Sequence, residues 1–416
     1  MRREIVSFIL FFYATYKLAK NIFLKFLIIR KIGNLMKTQK ISFTGYDARP
    51  LKGILARDSG FGKPFCNLLQ ETAEILNKEG VDVFLQTSNG IVKNNFSKIE
   101  SKPTGFWPWA QDRIMFLQDK TIFASPVGAI DRGYKKIAEF FKTTLSTNKK
   151  NIDGGNYFFI KEKHGKDSVI LGKDEFQLLK FPEVKKFFNN KTITSITQPD
   201  FHIDLGIRPL NNKNILVNDP QMLINELKAA STRAKVLATK ESDTKLGNVA
   251  DKIDNLIKQI ESSNTHLDSI KNYKLLRQEL KHNKFNVIKV PACIGTPDTN
   301  LSFLESLAKQ NGAPSSLTQN LNYKMNYVNA IVHERPDKSL VYITGKTRLD
   351  NEIGITPQIA EKIDFSFEKM FKNSLKNYIA PEDIHFVGKG FVSDLIEKYD
   401  GGFHCLFAEI PKNNQY

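Results

Sequence analysis

Apolar and polar positions alternate between helical and strand-like spacing from about residue 40 onward. Residues 67–79 repeat apolar side chains at helical intervals, Gly80 ends that repeat, and the run VDVFLQ then has the character of a strand. A helix followed directly by a strand predicts an α/β unit. The predicted apolar face of this helix consists of Leu68, Leu69, Thr72, Ile75 and Leu76.

The same theme recurs as hairpin-like pairs of β-rich runs, although no sequence repeat is obvious. These pairs favour an α/β architecture over an all-β sandwich. In sequence they are RIMFLQ with TIFASP, NYFFIK with SVILG, FHIDLGI with NILVND, and NYVNAIVH with SLVYITG.

A long stretch between residues 220 and 282 is rich in Lys, Glu, Asn and Ser and has helical spacing, with Val249, Ile253, Ile257 and Ile260 on one face. We predict a helical insertion, 220–282, that packs on the main domain or covers its site. A plain surface hairpin is the simpler alternative to a partner-binding role.

Residues 1–35 form a hydrophobic, basic segment that differs from the rest of the chain. The apolar run 5–16 is shorter than the roughly 20 residues of a membrane span, and lysines interrupt the apolar residues after it. The segment is a signal, an interfacial anchor that contacts a membrane surface, or a mis-assigned start ahead of Met36. We expect the catalytic domain, 40–416, in the cytoplasm, or at a membrane or exported if residues 5–29 are a true signal or anchor.

Composition changes this picture little. The 416 residues are 41% hydrophobic, as in a globular chain, and about half of the net charge of +17 lies in residues 1–40. The remaining excess is mostly Lys among Asn, Asp and Glu, without a nucleic-acid motif, so no nucleic acid is expected as a partner.

Seven histidines without an H-E-x-x-H pair argue against a zinc hydrolase. Three cysteines at wide spacing predict no disulfide framework: Cys66, Cys293 and Cys405.

Four short clusters near strand ends carry candidate chemistry. Each taken singly is commonly structural, but together they supply a thiol nucleophile, an acid/base imidazole, a carboxylate to orient it and two further carboxylates for a cation. A planar guanidinium is a cation that two carboxylates can bind along its edges. The clusters are W-A-Q-D-R at 109–113, D-G-G-N at 153–156, H-I-D at 202–204 and G-G-F-H-C at 401–405.

In their order and with these neighbours, Asp112, Asp153, His202 with Asp204, and Cys405 resemble the guanidino-group-modifying enzymes, the pentein superfamily of deiminases and amidinotransferases. The W-x-Q-D form is similar to protein-arginine deiminases, whereas D-G-G-N and the glycines before H-C are similar to the agmatine and bacterial branches. The resemblance implies a β/α propeller of five ββαβ units about a pseudo-fivefold axis. It implies no metal or organic cofactor; calcium activates the animal branch, but no EF-hand loop is present.

The resemblance also implies a role for each residue. Cys405 attacks the guanidinium carbon to form a covalent thiouronium, and its pKa is lowered by the bound cation and an imidazolium. His202 acts as general acid and then general base, and Asp153 holds its ring. Asp112 and Asp204 bind the guanidinium.

Neighbouring residues receive weaker assignments. Trp109 covers the flat face of the cation or belongs to the core. Asn156 is a possible supporting amide, and Gly402 is a possible site of close backbone approach to the substrate. His404 would point away from Cys405 in a strand, so we expect it to serve packing.

The function expected from these residues is a deiminase that converts a guanidinium to a ureido group and ammonia, with arginine in a peptide or protein as the preferred substrate. Agmatine or free arginine is an alternative substrate. An amidinotransferase would pass the same group to an amine. A non-catalytic binding pentein is an alternative of another class, which the retained Cys, His and Asp residues do not favour.

Overall fold

The computed structural model of the chain has a mixed α/β fold. Residues 1–49, which include the predicted signal or anchor segment, lie outside the described part. No helix among the described residues is long and apolar enough to cross a membrane. The structure describes residues 50–99, 101, 106, 109–116, 121–124, 133–147, 154–161, 167–173, 179, 188, 192–200, 202–294, 323–399 and 401–412.

Short strands build six small sheets in the described part of the chain. Five of them share one pattern, in which a central strand pairs antiparallel with one neighbour and parallel with another. The strands are β1 (Leu51–Arg57), β2 (Asp82–Thr87), β3 (Gly90–Lys93), β4 (Ile114–Phe116), β5 (Thr121–Ala124), β6 (Thr144–Thr147), β7 (Tyr157–Lys161), β8 (Asp167–Gly172), β9 (Thr192–Ile196), β10 (Ile207–Pro209), β11 (Asn214–Asp219), β12 (Asn286–Pro291), β13 (Cys293–Ile294), β14 (Tyr323–Met325), β15 (Ala330–Glu334), β16 (Leu340–Gly345), β17 (Ile384–Val387) and β18 (Ala408–Pro411).

Helices connect many of the parallel strand pairs, as the crossover between parallel strands requires. The first, α1, carries the predicted apolar face and buries Leu68, Leu69, Thr72 and Leu76, while Ile75 is partly buried. The helices are α1 (Lys63–Leu76), α2 (Ala110–Arg113), α3 (Gly133–Phe141), α4 (Pro220–Glu241), α5 (Thr244–Glu261), α6 (Asn264–His282), α7 (Leu349–Ile353), α8 (Pro357–Lys362), α9 (Phe367–Leu375) and α10 (Phe391–Tyr399).

The last strand of the described chain, β18, forms one edge of the sheet that contains β1. β18 pairs antiparallel with β1, and β1 pairs parallel with β2. A buried apolar cluster beside this sheet includes residues of β1 and α1 together with Trp109 and Cys405. The sheet therefore brings the chain's late cysteine next to its early strands.

Between β11 and β12 the chain forms three consecutive helices, α4 to α6. Each begins at a side-chain cap: Asp219, Asp243 and Ser263 accept hydrogen bonds from backbone N–H groups in the first turn. The apolar face of α5, including Val249 and Ile253, is buried in a cluster shared with the neighbouring sheets. The three helices therefore pack on the body of the protein.

The four predicted hairpins are present as antiparallel pairs, although one boundary is wrong. The run FHIDLGI was predicted as a strand, but β10 begins only at Ile207, and residues Ile203–Leu205 form a 3-10 turn. Asn amides from other segments bind the backbone of this turn in place of a strand partner. The turn is therefore fixed by side chains from outside its own segment.

Asp350, near the start of α7, gives a stability prediction. Burial raises the pKa of its carboxyl to about 6, opposed by a hydrogen bond from the Phe367 backbone N–H and assisted by Glu368. The folded protein thus holds this proton more tightly than the unfolded chain, where aspartate titrates near about 3.9. The neutral carboxyl therefore contributes fully to stability below the unfolded-state pKa of about 3.9, and this contribution is lost as pH rises through the folded-state pKa of about 6.

Asp350→Asn keeps an oxygen to accept the Phe367 hydrogen bond but removes the buried charge. We expect the free energy of unfolding at neutral pH to increase, on the order of 2 kcal/mol, with a smaller gain near pH 4. Urea denaturation at several pH values measures it. Asp251→Asn, at an exposed position of α5, is the charge-matched control. An equal gain in both variants would contradict the assignment to burial.

Candidate active site

Cys405 lies in a 3-10 turn, His404–Leu406, just before β18. Its side chain is only 1% exposed. The two glycines ahead of it are required by close packing, because a Cβ at Gly401 would overlap the Trp109 ring and one at Gly402 would overlap the Asn329 amide. The sequence G-G-F-H-C therefore folds into a tight, buried turn rather than a strand.

His202 immediately precedes the turn Ile203–Leu205, Asp204 lies within it, and three side-chain amides hold the turn. Asn156 Oδ1 accepts a hydrogen bond from the Ile203 N–H at 3.2 Å. The Leu205 carbonyl accepts from Asn218 Nδ2 and Asn326 Nδ2, each at 2.8 Å. The turn that carries both predicted site residues is thus fixed on each side.

The structure brings four of the predicted site residues together. Cys405 Sγ lies 3.7 Å from Asp204 Oδ2, and His202 Nδ1 lies 3.9 Å from Asp112 Oδ1. One atom that could ligate a metal, from each of His202, Asp204 and Cys405, lies within 4.8 Å of the corresponding atoms of the other two residues. These donor types also suit a soft divalent metal ion, but the same set fits a nucleophile beside an imidazole and a carboxylate. All four side chains are buried.

Asp153, the predicted partner of His202, lies outside the described residues. The turn that comes after it, Gly154–Asn156, is described and borders the site. A Cβ at Gly155 would overlap the His202 ring and come within 3.0 Å of Asp204 Oδ1. Glycine at this position leaves the space that the imidazole occupies.

Trp109 is 6% exposed and packs in the apolar cluster that contains Cys405. Its ring lies against Gly401 and 6.4 Å from the ring of Phe61, measured between centroids. The indole therefore supports the backbone that leads to Cys405. Its part in covering a bound cation stays a prediction.

Sequence reasoning missed Asn329, which lies just before β15. Its Nδ2 donates to Asp204 Oδ2 at 3.1 Å and lies 3.6 Å from Cys405 Sγ, while its Oδ1 accepts from the His404 N–H at 2.6 Å. This amide connects the two turns of the site. The run NYVNAIVH has the pattern of a strand, and nothing in it distinguishes this asparagine from a strand-end polar residue.

The surroundings of Cys405 favour the neutral form of its thiol. Burial raises its pKa to about 12, and the nearby Asp204 and Asp112 carboxylates add to that effect, while a hydrogen bond with His202 lowers it. The expectation of a lowered pKa concerns the site with a guanidinium bound and stays a prediction. A bound cation between the carboxylates would oppose their effect.

The expectation that His404 serves packing is wrong. The prediction assumed a strand, whereas the residue lies in a 3-10 turn and its buried ring lies between two carboxylates. Nδ1 is 3.1 Å from Asp204 Oδ2, and Nε2 is 3.1 Å from Glu409 Oε1. Arg208 Nη1 lies 3.0 Å from the same Nε2, and its Nη2 donates to Glu409 Oε1 at 2.8 Å.

Arg208 and Glu409 were not anticipated from the sequence. Arg208 lies four residues after Asp204, and Glu409 lies four residues after Cys405. Each therefore follows a candidate site residue by the same interval and lies in the strand that comes next, β10 or β18. That spacing is the one signal in the sequence that could have identified them.

Solved structures similar to this chain include C. jejuni agmatine deiminase, with 12% identity and a TM-score of 0.48 over 88% of this chain and 95% of that one. A protein provisionally assigned as a peptidyl-arginine deiminase has 13% identity and a TM-score of 0.47, over 88% and 97%. SxtG, an amidinotransferase from Microseira wollei, has 11% identity and a TM-score of 0.43, over 89% and 96%. These structural neighbours are members of the pentein superfamily. No protein-family profile and no curated protein sequence matches the chain.

Proposed function

We propose that the protein is a guanidine deiminase that uses Cys405 as its nucleophile. The observation that carries this proposal is the buried thiol 3.7 Å from an Asp204 oxygen, with His202 and Asp112 in the same cluster. A thiol beside two carboxylates is poorly placed to ionise by itself. It is well placed to react with a substrate that brings its own positive charge.

The hydrogen bonding of the two Asp204 carboxylate oxygens supports the binding of a guanidinium. Oδ2 accepts from Asn329 and lies beside His404, whereas Oδ1 is buried and has no hydrogen-bond partner among the described residues. A buried carboxylate oxygen without a donor is costly, and a guanidinium N–H would satisfy it. Asp112 is the candidate for the opposite edge of the same cation.

The proposed reaction begins when the cation binds and offsets the effect of the carboxylates on the thiol. His202 takes the proton from Cys405, and Sγ forms a bond to the guanidinium carbon. His202 then returns a proton to the departing nitrogen, the C–N bond breaks, and ammonia leaves a covalent thiouronium.

Water completes the reaction. His202 removes a proton from water, the resulting oxygen bonds to the same carbon, and the C–S bond breaks as His202 returns that proton to the Cys405 sulfur. The products are a ureido group and ammonia, which is protonated in solution. Asp153, as in the resemblance, is the proposed partner that keeps the His202 ring in place.

We also propose that the sheets are arranged as a five-unit propeller. Five sheets in the described part share the antiparallel-then-parallel pairing, and they supply the turns and strand ends that carry the site residues. Arranging such units about one axis would gather strand ends from the whole chain at the centre. Candidate residues between positions 112 and 405 do meet in one cluster.

The preferred substrate in this proposal is arginine within a peptide, on the W-x-Q-D resemblance. Residues 36–416 would be incubated with an arginine peptide capped at both ends, free arginine and agmatine, and ureido product and ammonia would be measured. We expect equal amounts of both products, with the capped peptide giving the highest kcat/KM. A higher value for agmatine would replace the preferred substrate while retaining the deiminase.

The same assay with added glycine tests transfer of the amidino group. Product that forms only in the presence of glycine, without ammonia, would overturn hydrolysis in favour of an amidinotransferase. No product from any guanidine would overturn the proposed function.

A further inference from the structure

The ring of His404 connects the candidate substrate-binding carboxylate to a buried ion pair. Asp204 can only accept hydrogen bonds, so Nδ1 of His404, at 3.1 Å from Oδ2, carries the proton. Asn329 donates to the same oxygen at 3.1 Å. Two donors from different segments therefore fix one oxygen of Asp204 and leave the other directed elsewhere.

The other side of the ring faces Arg208 and Glu409. Nε2 either accepts from Arg208 Nη1, at 3.0 Å, or donates to Glu409 Oε1, at 3.1 Å. In both cases Nδ1 keeps its proton and its bond to Asp204. The ring is thus held in one orientation whichever partner Nε2 takes.

Arg208 and Glu409 form a strong pair behind the ring. Arg208 is 1% exposed, and its Nη2 donates to Glu409 Oε1 at 2.8 Å. Burial would raise the pKa of Glu409, but Arg208 and His404 outweigh it and lower that pKa to about 2. The carboxylate therefore stays charged across the pH range in which an enzyme of this kind would work.

We propose that His404, held by Arg208 and Glu409, is a positioning residue that sets the orientation of the Asp204 carboxylate. This inference rests on the proposed function, since the orientation matters because Asp204 binds the guanidinium. His404 does not touch the reacting atoms. It acts through Asp204, whose Oδ1 it leaves available to the substrate.

His404→Phe tests the inference, because it removes both ring nitrogens while keeping a planar ring. A cavity of about 70 Å³ borders His404, Arg208 and Glu409 and accommodates the small change in volume. We expect KM for the guanidine to rise and kcat to fall, each by roughly tenfold, since one charge-assisted hydrogen bond to Asp204 is lost. His404→Gln restores one N–H donor and should recover part of both losses.

The control is His333→Phe, at another buried histidine, whose Nδ1 accepts from the Leu51 N–H at 3.1 Å. It should lower the melting temperature without changing KM. If His404→Phe also changed only the melting temperature, the residue would be merely structural and the inference would be overturned. Glu409→Gln, at a partly exposed side chain, provides a second variant and should raise KM in the same direction.

Crystal structures of the wild type and His404→Phe separate this inference from the proposed function. We expect the Asp204 carboxylate to rotate away from Asn329 in the variant. An unchanged Asp204 orientation would overturn the positioning role even if the wild type is an active deiminase. A rotated carboxylate together with no turnover of any guanidine by the wild type would support the positioning and overturn the function.

Discussion

Cys405→Ser is expected to lower kcat/KM for the guanidine substrate by roughly 10⁴-fold or more, because a serine hydroxyl in this site is a far weaker nucleophile than the thiol. The substitution removes little volume from a fully buried position, so the fold should persist. Turnover by the purified variant, with circular dichroism to verify folding, measures the effect. Mass spectrometry of the wild type quenched during turnover should show the thiouronium adduct on Cys405.

Cys66→Ser is the matched control. Cys66 is also buried, at 3% exposure, and its Sγ donates to the Ile99 carbonyl at 3.5 Å, a bond that a serine can replace. We expect its activity to remain near that of the wild type. Activity of Cys405→Ser within tenfold of the wild type would exclude covalent catalysis by this residue.

Asp204→Asn is expected to change two measurements in opposite directions. Loss of the charged acceptor should lower kcat/KM for the guanidine by roughly 10²- to 10⁴-fold, as two charge-assisted hydrogen bonds are weakened. The Asp204 charge also raises the pKa of Cys405, after burial the largest contribution to that increase. Its removal lowers the pKa of the thiol, so more thiolate is present at any given pH. Alkylation by iodoacetamide should therefore become faster, by roughly tenfold if the thiol pKa falls by about one.

The alkylation rate at Cys405 would be followed by mass spectrometry of its peptide between about pH 7 and 10, in the Cys66→Ser background, with the Cys293 peptide quantified separately. Asp383→Asn is a control, since Asp383 binds Arg335 at 2.7 Å, away from the site cluster. It should change neither quantity. Slower alkylation in Asp204→Asn would show that the carboxylate stabilises the thiolate instead of opposing it.

Local patterns predicted the elements of this fold well where side-chain spacing decides the conformation. The apolar repeat of residues 67–79 lies in α1, which begins earlier, at Lys63, and in the 3-10 turn Asn77–Glu79 that follows it. The alternating runs became antiparallel strand pairs. The prediction did not hold for the run FHIDLGI, which has the composition of a strand. Its first part is a turn, because Asn156 and Asn326 from distant segments and Asn218 from the adjacent strand β11 bind its backbone. Contacts of that kind leave no periodic trace in the sequence.

Some residues of the candidate site could likewise be predicted from the sequence and others could not. Asp112, His202, Asp204 and Cys405 could be proposed from the sequence because their chemistry is distinctive and their neighbours are informative, and the structure places them together. Asn329 could not, since a neutral amide before a strand resembles many others. The charges around His404 also escaped prediction, because Arg208 and Glu409 become its neighbours only when β10 and β18 approach each other.

The antiparallel pairing of β1 with β18 also orders events during protein synthesis. Residues 51–57 leave the ribosome long before their partner strand, residues 408–411, has been translated. At roughly 5–20 residues per second the interval lasts tens of seconds. By the end of that time the growing chain carries Asp112, His202 and Asp204, whereas Cys405 is translated only just before residues 408–411. Under the proposed function, an unfinished molecule therefore cannot modify arginines in other newly made proteins, and activity arises only when the final sheet closes.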